Sequence, residues 1–449
     1  MPIKILAADF VLPISAEPFE RGAIAVEENK IVAVGTKENL AEKFPASVVE
    51  DFGEAAIMPG LVNAHSHLEI TLMRGFLDEV EEDFYSWLMK LTKTRAEHLT
   101  ESDIETGAML GALEGARAGV TCFGDIGRIG RAGFEALKAN GLRGVVFQET
   151  EFSPKNETAA EDFAKLEEKF LALKETETEF VKVGLSPHAP YTVSRRLFEL
   201  IADYAVENAI KISTHAAESN EETEFFQTGA GFFALIYEKI NVGWHAPEIS
   251  PIEYLDKIGV LRAKPTLAHC VKVSDRDIDL IVESGSRIAH CPKSNAKFGH
   301  GIAPLEKFLS RGAAVGFGSD SVASNNICDI LEEARFAALV ARNPEYKTRF
   351  LNAREIIETA TLGGAKSLGL ETKIGTLETG KQADLIVVSL DALAQMPVHD
   401  VYSALLFASG ARDVRLTMVG GEEIYRDGAA LKIDEKQLKA RVREIARKM

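Results

Sequence analysis

Residues 57–67 read IMPGLVNAHSH, and the fold turns on them. A short apolar run ends in two histidines, His65 and His67, one residue apart. In an extended strand residues two apart point to the same side, so both imidazoles can reach one point in space. Seven more apolar runs of this kind follow the first, AIMPGLVNAH at 56–65. They are GVTCFGDI at 119–126, LRGVVFQE at 142–149, FVKVGLSPH at 180–188, IKISTHA at 210–216, PTLAHC at 265–270, SRIAHCP at 286–292 and AAVGFGSD at 313–320. Segments with helical periodicity separate them, which is the pattern of βα units around a parallel sheet. Eight such units close a (β/α)8 TIM barrel, an α/β fold.

The chain ends read differently. IKILAADFVLP at 3–13, GAIAVEENKIVAVG at 22–35, QADLIVVSL at 382–390 and VRLTMVGGEEIY at 414–425 alternate apolar and polar residues between turns, as antiparallel strands do. The economical arrangement is a small β-sandwich domain from both ends, residues 1–54 and 375–449, with the catalytic barrel, residues 55–374, inserted between its halves. A chain of 449 residues suits one large domain and a smaller one. Between the fifth and sixth runs an aromatic-rich connection spans residues 221–264. It reads equally as a cover over the substrate or as a packed peripheral helix pair.

With 46% hydrophobic residues the chain can bury a sizeable core, and a net charge of −17 disfavours nucleic acid as a partner. The basic stretch KQLKARVREIARK at 436–448 reads as a solvated helix face. No secretory leader or long apolar span is legible, so the expectation is a cytoplasmic protein without a membrane partner; homo-oligomerisation is left open. Cys122, Cys270, Cys291 and Cys328 are scattered and form no CxxC pair, which argues against a disulfide framework or zinc ribbon.

Six of the ten histidines, His65, His67, His188, His215, His269 and His290, lie at or just beyond the C-terminal end of a predicted strand. In a barrel those ends converge on one face, where catalytic groups collect. HxH alone is weak evidence, and Asp320 before Ser321 alone would read as a helix cap. Together, three imidazoles and a carboxylate make a ligand set that leaves a position for water, the mark of a catalytic metal site. Glu218, three residues after His215, falls at the mouth of the following loop, within reach of a bound substrate.

The segments NAHSH, SPHAPYTVS, THAAES, AHC, HCPKSNAKFGHGIAP and FGSDSVASNN resemble the amidohydrolase superfamily, especially its mononuclear deaminases and chlorohydrolases. IMPGLVNAH and GKQADLIVV match that family's domain junctions, so the resemblance covers nearly the whole chain. It implies one divalent metal ion, zinc with iron or manganese as alternatives, held by His65, His67, His215 and Asp320. It further implies that Asp320 takes the proton of the attacking water, that Glu218 passes a proton to a ring nitrogen, and that His269 orients the attacking oxygen. His188 matches the family's substrate-contacting histidine. His290 reads as structural, and Asn295 as shaping the site. No lysine at the end of the fourth strand offers a carbamylated bridge, in keeping with one metal.

HLE at 67–69, FYSWLMKLTKTR, FQE and SPIEYLDKIGVL look like the aminofutalosine deaminases, and the chain also resembles S-adenosylhomocysteine and methylthioadenosine deaminases. The latter's ribose-gripping glutamate would fall near Ala96, with Glu97 beside it. The expected substrate is an adenine-type nucleoside, with Glu69 and Arg95 as substrate contacts and Arg95 as the anchor of an aryl carboxylate. Other heterocycle deaminases and chlorohydrolases remain alternatives. HLE also formally matches the HxE of cytidine deaminases, but the PCxxC half is absent. Walker A, HExxH and GxSxG motifs are missing too. The non-enzymatic alternative, an inactive barrel used for binding or assembly, is opposed by the full ligand set.

Overall fold

A computed structural model describes residues 3–343 and 349–449. All eight expected barrel runs form strands: β6 (Leu61–Ser66), β7 (Val120–Gly127), β8 (Arg143–Glu149), β9 (Val181–Ser186), β10 (Ser213–Ala216), β11 (Thr266–His269), β12 (Arg287–His290) and β13 (Ala314–Phe317). They pair in parallel as two four-stranded arcs, β6 to β9 and β10 to β13. The bridges Leu185↔Ile212 and Ser66↔Asp320, both parallel, join the arcs into a ring. The second bridge brings the HxH segment beside Asp320.

The first run breaks where the sequence reading has one strand. Residues 55–59 belong to the terminal sheet, not to the barrel: Ala55–Pro59 pairs antiparallel with Leu385–Ser389 and parallel with Phe10 and Val11. Proline cannot donate to a ladder, so the strand ends at Pro59 and the chain turns through Gly60 into β6. A Cβ on Gly60 would stand 2.1 Å from the Thr121 hydroxyl oxygen, so only glycine fits this crossing.

Among the described residues the terminal sheet has nine strands. Those outside the barrel are β1 (Lys4–Val11), β2 (Phe19–Glu27), β3 (Lys30–Thr36), β4 (Val48–Asp51), β5 (Ala55–Pro59), β14 (Leu385–Ser389), β15 (Val414–Val419), β16 (Glu422–Arg426) and β17 (Ala429–Ala430). Their order is β17-β16-β15-β14-β5-β1-β2-β3, with β4 on β1. Ile24, Val26 and Ile31 from one arm share a buried cluster with Leu385, Val387, Leu416 and Met418 from the other, so the sheet folds over itself as a sandwich. Alternation puts the neighbouring Ile386 and Val388 of β14 into the main core shared with the barrel. The C-terminal helix Glu435–Ala446 leaves the sandwich and lies on the barrel helix Glu101–Arg117, tied by Arg441 to Asp103 at 2.9 Å and Arg117 to Glu435 at 2.8 Å.

At the bottom of the barrel Arg143, the first residue of β8, meets Asp384 of the terminal domain. Its Nε donates to Oδ2 at 2.7 Å and its Nη2 to Oδ1 at 3.0 Å, and both side chains are buried. Gly420 N–H adds a third bond to the same carboxylate at 2.8 Å. The bidentate geometry satisfies charges that could not otherwise be buried.

The 221–264 connection is a packed peripheral set of helices, and none of its residues lines the cleft at the barrel mouth. Helices Asn220–Thr228, Gly231–Lys239 and Pro251–Lys257 pack an aromatic cluster in which Phe225 stacks on Trp244 at 4.2 Å. The same segment packs against residues around the mouth: Phe233 stacks on Tyr191 at 4.0 Å and Phe232 meets Tyr85 at 4.4 Å. No helix among the described residues is long and apolar enough to cross a membrane.

Candidate metal centre

Extended backbone at the end of β6 brings His65 and His67 to the barrel axis, their rings 4.9 Å apart and nearly perpendicular. His215, on β10, faces them: His67 Nε2 and His215 Nε2 stand 3.2 Å apart. Asp320, just past β13, places Oδ1 3.4 Å from His65 Nε2 and 3.6 Å from His67 Nε2. Its Oδ2 is taken up by the Ser294 and Ser324 hydroxyls, at 2.6 and 2.9 Å, which turns Oδ1 towards the histidines.

These residues fit a cation. His67 Nδ1 donates to the Ile126 carbonyl at 3.1 Å and His215 Nδ1 to the His188 carbonyl at 2.8 Å. A carbonyl only accepts, so in the neutral ring each Nε2 is left as a bare lone pair. Two such lone pairs 3.2 Å apart repel unless a cation lies between them. Neither ring nitrogen of the fully buried His65 has a hydrogen-bond partner among the described residues. Tetrahedral ligands at metal–nitrogen distances of about 2.0–2.1 Å stand roughly 3.3 Å from one another, close to the separations seen. Burial pushes all three imidazoles below their ordinary pKa. For Asp320 burial acts upward, but His65, His269 and His67 hold the carboxyl well below the usual range. Three neutral rings and one carboxylate suit a divalent ion.

The backbone is strained at these positions. Ala217, His269 and Asp320 have φ of 53°, 73° and 53°, a left-handed region unfavourable to side-chain-bearing residues and common at functional sites.

Glu218 is buried beside the ligands, with Oε1 3.6 Å from His269 Nε2. Burial, with the nearby Asp320 charge, pushes its carboxyl up to about 8 although His215 acts the other way. Its loop is held by Glu222, whose carboxylate accepts the Glu218 N–H at 2.8 Å. His269 is set by Asn295, with Nδ1 2.9 Å from Oδ1. His188 bonds Thr192 Oγ1 through Nδ1 at 2.8 Å, and its ring stands 4.7 Å from that of His215.

Glu69 and Arg95 also face the cleft, but they hold each other at 2.6 Å. Glu69 additionally accepts the N–H groups of Arg128 and Ile129, at 3.2 and 2.9 Å. His290 is buried and does not line the cleft. Sequence reasoning assigned no role to several groups here: the Arg128–Glu149 ion pair at 3.4 Å, Tyr191, His300, and the Phe84 and Phe298 rings that flank Trp87. His300 lies within a quoted motif but not at a strand end, the signal used to select the others.

A wider cleft of about 790 Å³ between the Glu101–Arg117 helix and the C-terminal segment contains none of these groups. Its charges pair among themselves, as in Arg117–Glu435 and Arg415–Asp427.

Comparison with known proteins identifies the family. The amidohydrolase family pattern matches residues 56–424. A 5-methylthioadenosine/S-adenosylhomocysteine deaminase of Nitratidesulfovibrio vulgaris is 34% identical, over 95% of this chain and 92% of its own length. Among solved structures, a zinc-bound adenosine deaminase from Xanthomonas campestris superposes with a TM-score of 0.87 at 29% identity, covering 99% of this chain and 98% of that one. The Helicobacter pylori aminofutalosine deaminase, in complex with methylthio-coformycin, gives 0.78 at 25%, covering 94% and 100%.

Proposed function

Since this chain belongs to the amidohydrolase family, we propose that it is a hydrolytic deaminase of an adenine-type nucleoside, replacing the 6-amino group by oxygen and releasing ammonia. It is a metal-binding hydrolase of carbon–nitrogen bonds. The observation that carries the finer reading is the convergence of His65, His67, His215 and Asp320 at the barrel mouth beside a buried carboxyl, Glu218, outside that set. His65, His67, His215 and Asp320 would hold one divalent ion, zinc in the first instance. Such an ion supplies Lewis-acid activation of water.

The protein groups handle the protons. Asp320 takes a proton from water and returns it to the departing amino group, which leaves as ammonia. Glu218, whose carboxyl is pushed up by burial, delivers a proton to the ring nitrogen beside the reacting carbon. His269 is held by Asn295 and orients the attacking oxygen. His188 contacts the heterocycle. The aromatic wall of Phe84 and Trp87 and the ion pairs Arg95–Glu69 and Arg128–Glu149 face the remainder of the substrate.

Within this class we favour aminofutalosine, whose aryl carboxylate would meet the N–H groups of Arg95 not used by Glu69. Methylthioadenosine or S-adenosylhomocysteine is the second reading, favoured by the deaminase of 34% identity. An ammonia-release screen over adenosine, these two thionucleosides and aminofutalosine tests both. Arg95→Ala should raise KM for the carboxylate-bearing nucleoside by roughly 10- to 100-fold, the worth of a charge-assisted hydrogen bond of about 1.5–3 kcal/mol, and barely alter KM for adenosine. Equal effects remove Arg95 as the anchor. Ammonia from none of the four overturns the substrate class.

A further inference from the structure

His300 lies in the turn FGHG between Gly299 and Gly301, whose φ of 69° and 112° bring the ring back over the barrel mouth. Its ring is buried, and Nε2 has no hydrogen-bond partner among the described residues. That nitrogen stands 3.6 Å from Glu218 Oε1, the same oxygen that His269 Nε2 faces at 3.6 Å. Leaving a buried polar group unsatisfied is costly, so its retention calls for a use.

The distance is too long for a hydrogen bond, yet a shift of under about 1 Å would close it, and catalytic hydrogen bonds often tighten only with substrate bound. The ring is backed by Phe84, edge-on at 5.1 Å, and by Phe298 at 5.3 Å. Phe84 begins the helix that brings Trp87, Leu88 and Leu91 to the cleft, so a substrate packed there presses on the ring behind His300.

We propose that His300 is a positioning residue for Glu218, donating from Nε2 to Glu218 Oε1 when substrate fills the cleft and leaving Oε2 aimed at the substrate's ring nitrogen. This rests on the reading of Glu218 as the proton carrier. Burial and the neighbouring His269 and Lys272 push the His300 imidazole down to about 3, so the ring donates as a neutral group and adds no charge against which Glu218 would have to hold its proton.

The test is a double-mutant cycle on the metal-loaded enzyme, with the adenine nucleoside that releases ammonia fastest. His300→Phe keeps the aromatic packing and removes the donor. It should lower kcat about 10- to 100-fold, the scale of a small misplacement of a catalytic group, with KM within about threefold of the parent and metal content unchanged. His300→Gln, which restores an N–H at similar reach, should recover most of the loss; should the phenylalanine variant not fold, His300→Leu against His300→Gln makes the same contrast. His300→Phe in a Glu218→Gln background should cost nothing further, because the two act as one unit. Parental kcat in His300→Phe beside an inactive Glu218→Gln, or losses that multiply in the double variant, would overturn the role of His300. A fully active Glu218→Gln would instead remove the proton-carrier reading beneath it.

Discussion

The two ends of the barrel bury charge in opposite ways. At the bottom, Arg143 and Asp384 satisfy each other through two bonds, and Gly420 supplies a third. At the top, neither nitrogen of His65 has a hydrogen-bond partner among the described residues, His67 and His215 point lone pairs at one another, and Asp320 sits in strained backbone. The bottom is a satisfied network. The top carries a cost that only a ligand relieves, and that difference marks the functional end without reference to any relative.

The comparison can be broken most decisively at Asp320. Asparagine tolerates the left-handed backbone and keeps an oxygen for Ser294 and Ser324, so Asp320→Asn changes the ligand and the charge but little else. Metal content should fall from about one equivalent per chain, by elemental analysis, and kcat by at least about 1,000-fold, within the range for loss of an acid–base group. The melting temperature of the metal-free protein should move by only a few degrees, since the amide oxygen keeps the Ser294 and Ser324 bonds. An active, metal-free Asp320→Asn would end the distinction between the two barrel ends.

Arg143→Met should do the reverse. It leaves Asp384 buried without its cation, which costs about 3–5 kcal/mol, read as a lower midpoint in chemical denaturation. Turnover per folded, metal-loaded molecule should stay within about twofold of the parent, because Arg143 lies at the opposite end of β8 from the cleft. A selective loss of kcat with unchanged stability would show that the bottom also serves catalysis.

The smallest effect sharpens the comparison at the molecule's edge. Glu423 pairs with Arg426 at 2.6 Å and Lys4 at 2.6 Å, and Glu50 bridges the same two cations. Arg426 first, against some burial, and then Lys4 hold the Glu423 carboxyl at about 2, below its ordinary 4.5. A depressed folded-state value means stability that is fully present above about 4.5 and lost as pH falls towards about 2. The network is partly exposed, so solvent screening should keep its worth below about 1 kcal/mol. Glu423→Gln should flatten the stability profile across that window only, and an unchanged slope would show that the pair contributes nothing.

What the sequence alone determined is whatever is local along the chain. The eight barrel strands are legible because each is a short apolar run with a period of its own, and His65 with His67 because the two-residue strand repeat sets their common direction. Histidines at strand ends could be gathered at one face by topology alone. Tertiary structure decided what depends on distant segments meeting. Pro59 and Gly60 hand β5 to the terminal sheet because Leu385–Ser389 offers it a partner more than three hundred residues away. The separations of 26 from His269 to Asn295, and of 241 from Arg143 to Asp384, carry no spacing rule that foretells their bonds. Arg95 reads as a free cation until folding sets it against Glu69. His300 is ordinary in its loop, and only packing of the turn after β12 against the loop after β10 puts its nitrogen 3.6 Å from Glu218. Periodicity records which way a side chain points; the group it finds there is set by close packing of elements far apart in the chain.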